Sequence, residues 1–216
     1  MAPKNKFTKE EMAEAALQVV RTKDIDCLTA KTIADALGTS TRPIFTGFGS
    51  MEDVRQEVYA AAVRVYDSYT GAGLQEEIPF LGVGRSCIRF AREEPELYRL
   101  LFLTRLPEYS AIQSMQHLQA LVRPALMRIY RITAEEADLY FRDLWFVVHS
   151  LSTLIVTGDC PYSDREISQI LTGFSISIFK SIKEIPGFAA GTFDRDAAFR
   201  AVIGRQGRGD IEWSKP

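Results

Sequence analysis

The chain has 216 residues, of which 46% are hydrophobic and 25% are charged, and this balance excludes a disordered protein. The formal net charge of −2 excludes a broadly basic surface that would hold nucleic acid regardless of sequence. Residues 1–50 carry seven Lys and Arg against six Asp and Glu, so a DNA site in this segment must be local.

Cysteine usage and hydropathy indicate the compartment. Cys27, Cys87 and Cys160 are far apart and form no metal-ligand pattern with the two histidines, so we expect reduced thiols, no metal and no cofactor. The first eight residues are polar, and the most apolar run, 144–156, is interrupted by polar residues and too short to cross a bilayer. The sequence predicts a cytoplasmic protein that does not bind membranes.

Apolar residues recur at helical spacing along nearly the whole chain, and convincing strand patterns are absent, so we predict an all-α fold. Thr8 and Glu11 form a capping-box pattern at the start of the first helix. A second, shorter helix begins at Thr29, and Gly38 is well placed to end it in the left-handed conformation.

Two further helices complete the N-terminal part. Ser40 is expected to cap a third helix of one or two turns, with Phe45 and Phe48 facing inward. Ser50, with Asp53 three residues later, is expected to cap a long fourth helix over 51–70. The sequence therefore predicts a three-helix helix-turn-helix domain over 1–55 with a long linking helix.

A larger helical body follows a break at 71–79, and we assign 71–185 to a ligand-binding and dimerisation domain and 186–216 to a partly loose extension. Pro124 lies inside one expected helix, which predicts a kink there or two helices. A short helix is possible over 194–203. The body helices are expected over 79–93, 95–104, 109–130, 133–157 and 163–183.

The helix, glycine turn and helix around Gly38 would let the third helix rest on the second and point its first residues outward, a shape that fits the DNA major groove. Arg42 is the side chain able to make a bidentate contact to guanine. Thr29 and Ser40, at helix starts, suit phosphate oxygens. The candidate DNA-binding residues are Thr29, Lys31, Ser40, Thr41, Arg42, Pro43, Phe45, Thr46 and Gly47.

Residues 8–58 resemble the TetR (tetracycline-repressor-like) family of transcriptional regulators. The matching features are Ala15-Ala16-Leu17, Leu28-Thr29, Ile33-Ala34-x-x-Leu37-Gly38, Ser40, Ile44-Phe45-x-x-Phe48 and Ser50-x-Glu52-x-Val54. The chain departs from the family at three positions. The family usually has Tyr at Phe45 and Lys at Met51, both common phosphate contacts, and often a larger residue at Gly47.

The segment Trp145-x-x-Val148-His149-Ser150 is similar to a pattern in the C-terminal domain of many family members. The resemblance implies a homodimer formed by the last two long helices, and a small-molecule effector bound in the helical body. Arg85, Arg89 and Arg92 share a helix face, which gives a weak indication of an acidic ligand. Candidate ligand-binding residues are Tyr98, Phe102, His117, Phe141, Trp145, His149 and Thr153.

Catalysis finds no support, because the chain has no nucleophile elbow, phosphate loop or metal-ligand cluster, and its two histidines lie on separate expected helices. We hypothesise that a dimer binds a palindromic operator in double-stranded DNA and blocks transcription until a ligand enters the body. The alternative is a helical small-molecule-binding or interaction protein with a vestigial helix-turn-helix.

Overall fold

The computed structural model describes residues 7–104 and 110–203. These residues form helices and no β-strand, which confirms the all-α prediction. A π-helical segment, Arg99–Leu103, continues directly from α6. The α-helices are α1 Lys9–Thr22, α2 Ala30–Leu37, α3 Arg42–Phe48, α4 Met51–Leu74, α5 Pro79–Glu93, α6 Pro95–Tyr98, α7 Ala111–Tyr130, α8 Ala134–Thr157, α9 Asp164–Glu184 and α10 Arg195–Ile203.

Reciprocal capping boxes start five of these helices. At α1, the Thr8 hydroxyl accepts from the Glu11 backbone N–H at 3.1 Å, and the Glu11 carboxylate accepts from the Thr8 N–H at 2.7 Å. The same arrangement begins α2, α4, α8 and α9. Gly38 ends α2 with a φ of 62°, which a residue with a Cβ rarely adopts. The predicted starts at Thr8, Thr29 and Ser50 are confirmed.

The structure corrects two expectations about α3. Thr41, not Ser40, occupies the N-cap position, and no side chain caps the helix. Phe45 does not face inward but is 47% exposed, whereas Ile44 and Phe48 are buried. Ile44 and Phe48 are four residues apart and share one helix face, so Phe45, about 100° further round, must point away from the core.

The break predicted over 71–79 is shorter than expected, because α4 continues to Leu74 and α5 begins at Pro79. The last turn of α4 is held against α5 by a close approach between Gly73 and Gly82. Of the two alternatives predicted at Pro124, a kink or two helices, the second is wrong, since α7 is one helix with Pro124 exposed. Buried residues on both sides of the proline, including Val122 and Leu126, hold that helix to the body.

The other body helices agree with their expected spans, except that the second half of 95–104 is π-helical and the start expected at residue 109 lies outside the described residues. Buried side chains from α1 through α9 form a single hydrophobic cluster. Helix α4 packs on α1 and α3 near its start and on α5 further along. It therefore joins the N-terminal helices to the body, and α1 adds a second connection through its contact with α6.

One ion pair also connects the N-terminal helices to the body. The Arg21 guanidinium on α1 binds the Glu94 carboxylate just after α5 through two hydrogen bonds of 2.9 Å.

Among the described residues, α8 alone is long and apolar enough to cross a membrane. That is weak support for a membrane span, because core helices pass the same test and α8 contributes eight buried side chains to the core.

Candidate nucleic-acid interface and internal cavity

The outer face of α3 carries most of the candidate DNA-binding residues. Its inner face is anchored by buried Ile44 and Phe48. Thr41, Arg42, Phe45 and Thr46 are exposed on the opposite face, and Ser40 is exposed just before the helix. Pro43 and Gly47 are half-buried. The structure therefore presents one short, firmly seated helix whose outer side is open to a partner.

Arg42 and Lys31 are the two cations of this surface. Both side chains are exposed, and neither the Arg42 guanidinium nor the Lys31 ammonium forms a hydrogen bond or ion pair with any other described residue. Thr46 donates its hydroxyl to the Arg42 carbonyl at 3.0 Å, so its hydrogen is used inside the helix. The Arg42 guanidinium is thus free to make a bidentate contact with a base edge or a phosphate.

Thr29 serves mainly as a helix cap. Its hydroxyl accepts from the Thr32 N–H at 3.1 Å, and its own N–H donates to the Thr32 hydroxyl at 3.0 Å. The first N–H groups of α2, including that of Lys31, have no carbonyl partner in an α-helix and suit a phosphate oxygen. Near Thr29 the backbone is therefore better placed than the hydroxyl to bind an anion.

Two of the three family departures have a packing explanation. A Cβ on Gly47 would lie 2.4 Å from the Met12 Cε of α1, so a side chain at this position would force Met12 to move. Met51 is half-buried and packs against the core. Phe45 is the third departure, and it remains on the open face. The structure thus gives Gly47 a packing role.

Two small cavities lie in the body and share Cys87, Trp145 and Val148 as lining residues. The first, of about 10 Å³, has space for about one water molecule and is also lined by Tyr66, Tyr98, Phe102, His149 and Ser152. The second, of about 20 Å³, is also lined by Phe80, Val83, Gly84, Tyr140, Phe141 and Leu144. The two cavities are adjacent spaces in one aromatic region.

The structure brings together most of the candidate ligand-binding residues. Tyr98, Phe102, Trp145 and His149 line the first cavity, and Phe141 lines the second. Thr153 reaches the group through Tyr98, since the two hydroxyl oxygens are 3.0 Å apart. His117 is the exception, because it is exposed on α7 and lines neither cavity.

A polar cluster forms one wall of the first cavity. The Tyr98 hydroxyl donates to the His149 carbonyl at 3.1 Å and lies 3.0 Å from His149 Nδ1. The His149 ring stacks on the Trp145 ring, with centroids 4.7 Å apart and planes 6° from parallel. Burial raises the pKa of Tyr98 to about 12 and lowers the pKa of His149 below its ordinary 6.5. Both groups are therefore uncharged at neutral pH.

Sequence reasoning did not name among its ligand-binding candidates four residues that line the first cavity, which are Tyr66, Cys87, Val148 and Ser152. Ser152 lies seven residues after Trp145 and three after His149, so helical spacing alone would have placed it on their face. Tyr66 belongs to α4 and Cys87 to α5, and no local pattern connects them to α8. Their hydroxyl oxygen and sulfur atoms are 3.3 Å apart, a contact that only the tertiary structure creates.

The basic face of α5 does not reach either cavity. Arg85 pairs with Glu76, Arg92 pairs with Asp164, and the Arg89 guanidinium lies 5.0 Å from the centre of the Tyr69 ring. All three arginines are exposed. The weak indication of an acidic ligand is therefore not supported.

The outer faces of α8 and α9 carry large apolar side chains that the described residues leave exposed. They are Phe146 and Leu154 on α8 and Phe174 and Ile176 on α9. Only Ile167 and Ile182 of α9 are buried, and its other apolar residues that face the core keep part of their surface exposed. Such apolar surface is typical of an interface.

Comparison with known proteins matches this chain to one repressor-like domain and to one transcriptional regulator. Residues 80–172 match the model of the tetracyclin repressor-like C-terminal domain. An HTH-type transcriptional regulator of Mycobacterium tuberculosis is 26% identical over 165 residues, which cover 71% of this chain and 72% of that protein.

Solved structures agree on the fold. A TetR-family member from Streptomyces coelicolor A3 aligns with a TM-score of 0.59 at 19% identity, over 80% of this chain and 98% of that one. The TetR family repressor AlkX from Dietzia aligns with a TM-score of 0.40, too low to support an inference.

Members of this family are ligand-responsive, DNA-binding regulators and not enzymes, and they form dimers on operator DNA. The matched domain covers the body alone, and the related regulator is the one whose name describes it as HTH-type. Residues 80–172 thus resemble the C-terminal domain of tetracyclin repressor-like proteins, and the chain shares its fold with a TetR-family member.

Proposed function

We propose that the protein is a homodimeric repressor that binds a palindromic operator through α3 and is released when a small molecule enters the cavity region of the body. One observation carries this proposal: α4 begins next to α3 and places Tyr66 in the wall of the first cavity. A DNA-binding regulator acts where the chromosome lies, so a cytoplasmic location is part of the proposal.

The DNA contacts are assigned to the open face of α3 and to the start of α2. Arg42 reads a base edge, and Thr41, Pro43, Phe45 and Thr46 pack against neighbouring groups of the major groove. Lys31, Ser40 and the N-terminal N–H groups of α2 bind phosphates. The exposure of this face and the unpaired state of Arg42 among the described residues support the assignment.

The dimer is assigned to the outer faces of α8 and α9. Pairing these helices with their copies would bury Phe146, Leu154 and Phe174, which one chain leaves exposed. In such a dimer a twofold axis would relate the two α3 helices to each other. Two half-sites about 34–36 Å apart then present successive major grooves to them.

Coupling between ligand and DNA is assigned to α4. The helix has 24 residues and is about 36 Å long at 1.5 Å per residue. The Tyr66 ring packs edge-on against Phe90 and Phe102, with centroids 5.1 Å and 5.2 Å apart. A ligand that moves these rings would tilt α4 and change the spacing of the two α3 helices, shifting the population away from the DNA-bound form.

Fluorescence anisotropy with the DNA upstream of the protein's own gene tests DNA binding. We expect saturable, salt-sensitive binding that Arg42→Ala weakens by roughly tenfold or more. Arg64→Ala is the matched control, because this exposed arginine lies on α4 about 20 Å from its start and should leave the affinity unchanged.

Absence of binding at low salt would contradict the proposal. It would favour the alternative of a small-molecule-binding protein with a vestigial helix-turn-helix. Equal losses in Arg42→Ala and Arg64→Ala would refute the specific role of α3.

A further inference from the structure

The cavity region itself indicates what the effector is chemically. We propose that it takes a flat, uncharged and mainly apolar molecule with one hydroxyl or carbonyl group, which forms a hydrogen bond with Ser152. The proposal rests on the proposed function for the existence of an effector and adds its chemical class.

The lining of both cavities is apolar and aromatic. Five of the eight residues around the first cavity carry rings: Tyr66, Tyr98, Phe102, Trp145 and His149. The second cavity has one polar ring substituent, the Tyr140 hydroxyl, which is already 2.7 Å from the Ser175 hydroxyl. Ring faces of this kind pack best against a flat apolar molecule.

Charge argues against an ionised ligand. Neither lining contains Lys, Arg, Asp or Glu. His149 and Tyr98 are both uncharged at neutral pH, since burial shifts their pKa values away from 7. An ionised group brought into this region would lose its hydration without meeting an opposite charge, which is strongly unfavourable.

One polar group in the first cavity is poorly satisfied. Ser152 is 1% exposed, and its hydroxyl makes no hydrogen bond of ordinary geometry with the described residues. Its polar neighbour is Tyr98, and a weak hydrogen bond from Ser152 lowers the pKa of that residue, against the larger effect of burial. A serine inside a helix commonly bonds a carbonyl one turn back, and Ser152 does not. An unpaired buried hydroxyl destabilises a protein, so its place in the cavity wall suits a ligand that completes the bond.

The size of the cavities adds a requirement. At about 10 and 20 Å³ they are too small for a ligand larger than water. Their shared wall of Cys87, Trp145 and Val148 must therefore move to join them into one chamber. That movement displaces α5 and α8 side chains that pack near Tyr66 of α4. Binding of a ligand would be transmitted to α4 through these side chains.

Equilibrium dialysis of the full chain at pH 7 tests the ligand class with four matched probes. They are 2-naphthol, 2-methylnaphthalene, 2-naphthoate and the 2-naphthylmethylammonium cation. We expect 2-naphthol to bind once per chain and roughly tenfold more tightly than each of the others. Failure of 2-naphthol to bind, or equal or tighter binding of either ion, would overturn the proposal.

Ser152→Ala tests the assigned hydrogen bond. We expect it to weaken 2-naphthol binding roughly tenfold, to the level of 2-methylnaphthalene, while the melting temperature of the unliganded protein stays the same or rises. Ser114→Ala is the matched control, because Ser114 is buried on α7 and lines neither cavity. Unchanged 2-naphthol affinity in Ser152→Ala would refute the role of Ser152.

These measurements use no DNA, so they separate the ligand class from the regulator function. If 2-naphthol binds as expected and the anisotropy experiment finds no operator, the ligand class stands and the regulatory proposal fails. If the operator binds and 2-naphthoate is the preferred probe, the regulatory proposal stands and the ligand class fails.

Discussion

Helices α4 and α5 approach each other so closely that a single added methyl group can test the contact. A Cβ on Gly82 would lie 2.2 Å from the Gly73 carbonyl oxygen and 2.9 Å from its carbon. Ordinary contacts begin at 3.4 Å, so Gly82→Ala requires the helices to separate by about 1 Å. Both atoms are backbone and cannot rotate aside as a side chain would.

The expected magnitude follows from two opposing effects. Replacing glycine by alanine inside a helix stabilises it by up to about 1 kcal/mol. Overpacking a close contact costs about 1–3 kcal/mol, and a clash with backbone lies at or beyond the upper end of that range. We therefore expect Gly82→Ala to lower the free energy of unfolding by about 2 kcal/mol, or the melting temperature by roughly 4–8 °C.

Gly84→Ala is the matched control on the same helix. Its added Cβ would meet only the Val148 Cγ2, at an ordinary 3.7 Å, so this variant should be as stable as the wild type or up to about 1 kcal/mol more stable. Thermal unfolding followed by circular dichroism, at one fixed protein concentration, measures both variants. If Gly82→Ala were as stable as Gly84→Ala, the close approach of α4 and α5 would be refuted.

Three further predictions concern pH, domain contact and assembly. Burial lowers the pKa of His149 below 6.5, so the unfolded chain binds that proton more readily. Wild-type stability should therefore fall relative to His149→Asn as the pH drops below about 6.5, and parallel melting curves from pH 7.5 to 5.5 would contradict this. Glu94→Gln removes the charge that binds Arg21 and should lower the free energy of unfolding, measured by urea denaturation, by about 1 kcal/mol. An unchanged midpoint of the urea unfolding curve would show that this contact does not hold α1 to the body. Phe174→Glu should give a monomer in light scattering, while the control Ile129→Glu, on α7, should remain a dimer. If both variants were dimers, the α9 face would be excluded as the dimer interface.

The parts of the fold that depend on neighbours in sequence were predictable. A capping box such as Thr8 with Glu11 spans three residues, and both of its hydrogen bonds form within one turn. Gly38 ends α2 because its own backbone must adopt a positive φ. Family motifs along residues 8–58 likewise indicated the helix-turn-helix without reference to the body.

Short or proline-containing segments were predicted less well. The expected Ser40 cap failed because α3 begins one residue later and is uncapped, and Phe45 faces outward because Ile44 takes the core position. Pro124 breaks the helical hydrogen-bond pattern locally, yet packing of α7 on both sides of it keeps one helix. In each case tertiary burial outweighed a local preference.

The candidate site divides in the same way. The DNA-facing residues lie within about twenty positions of one another, so the sequence alone could bring Lys31 and Arg42 onto one surface. The cavity joins α4, α5, α6, the π-helical segment and α8, and only folding places Tyr66 and Cys87 beside His149. The unpaired state of Ser152 is likewise a property of its neighbours in space, because a hydroxyl is satisfied or unsatisfied only by the atoms that the complete fold puts around it.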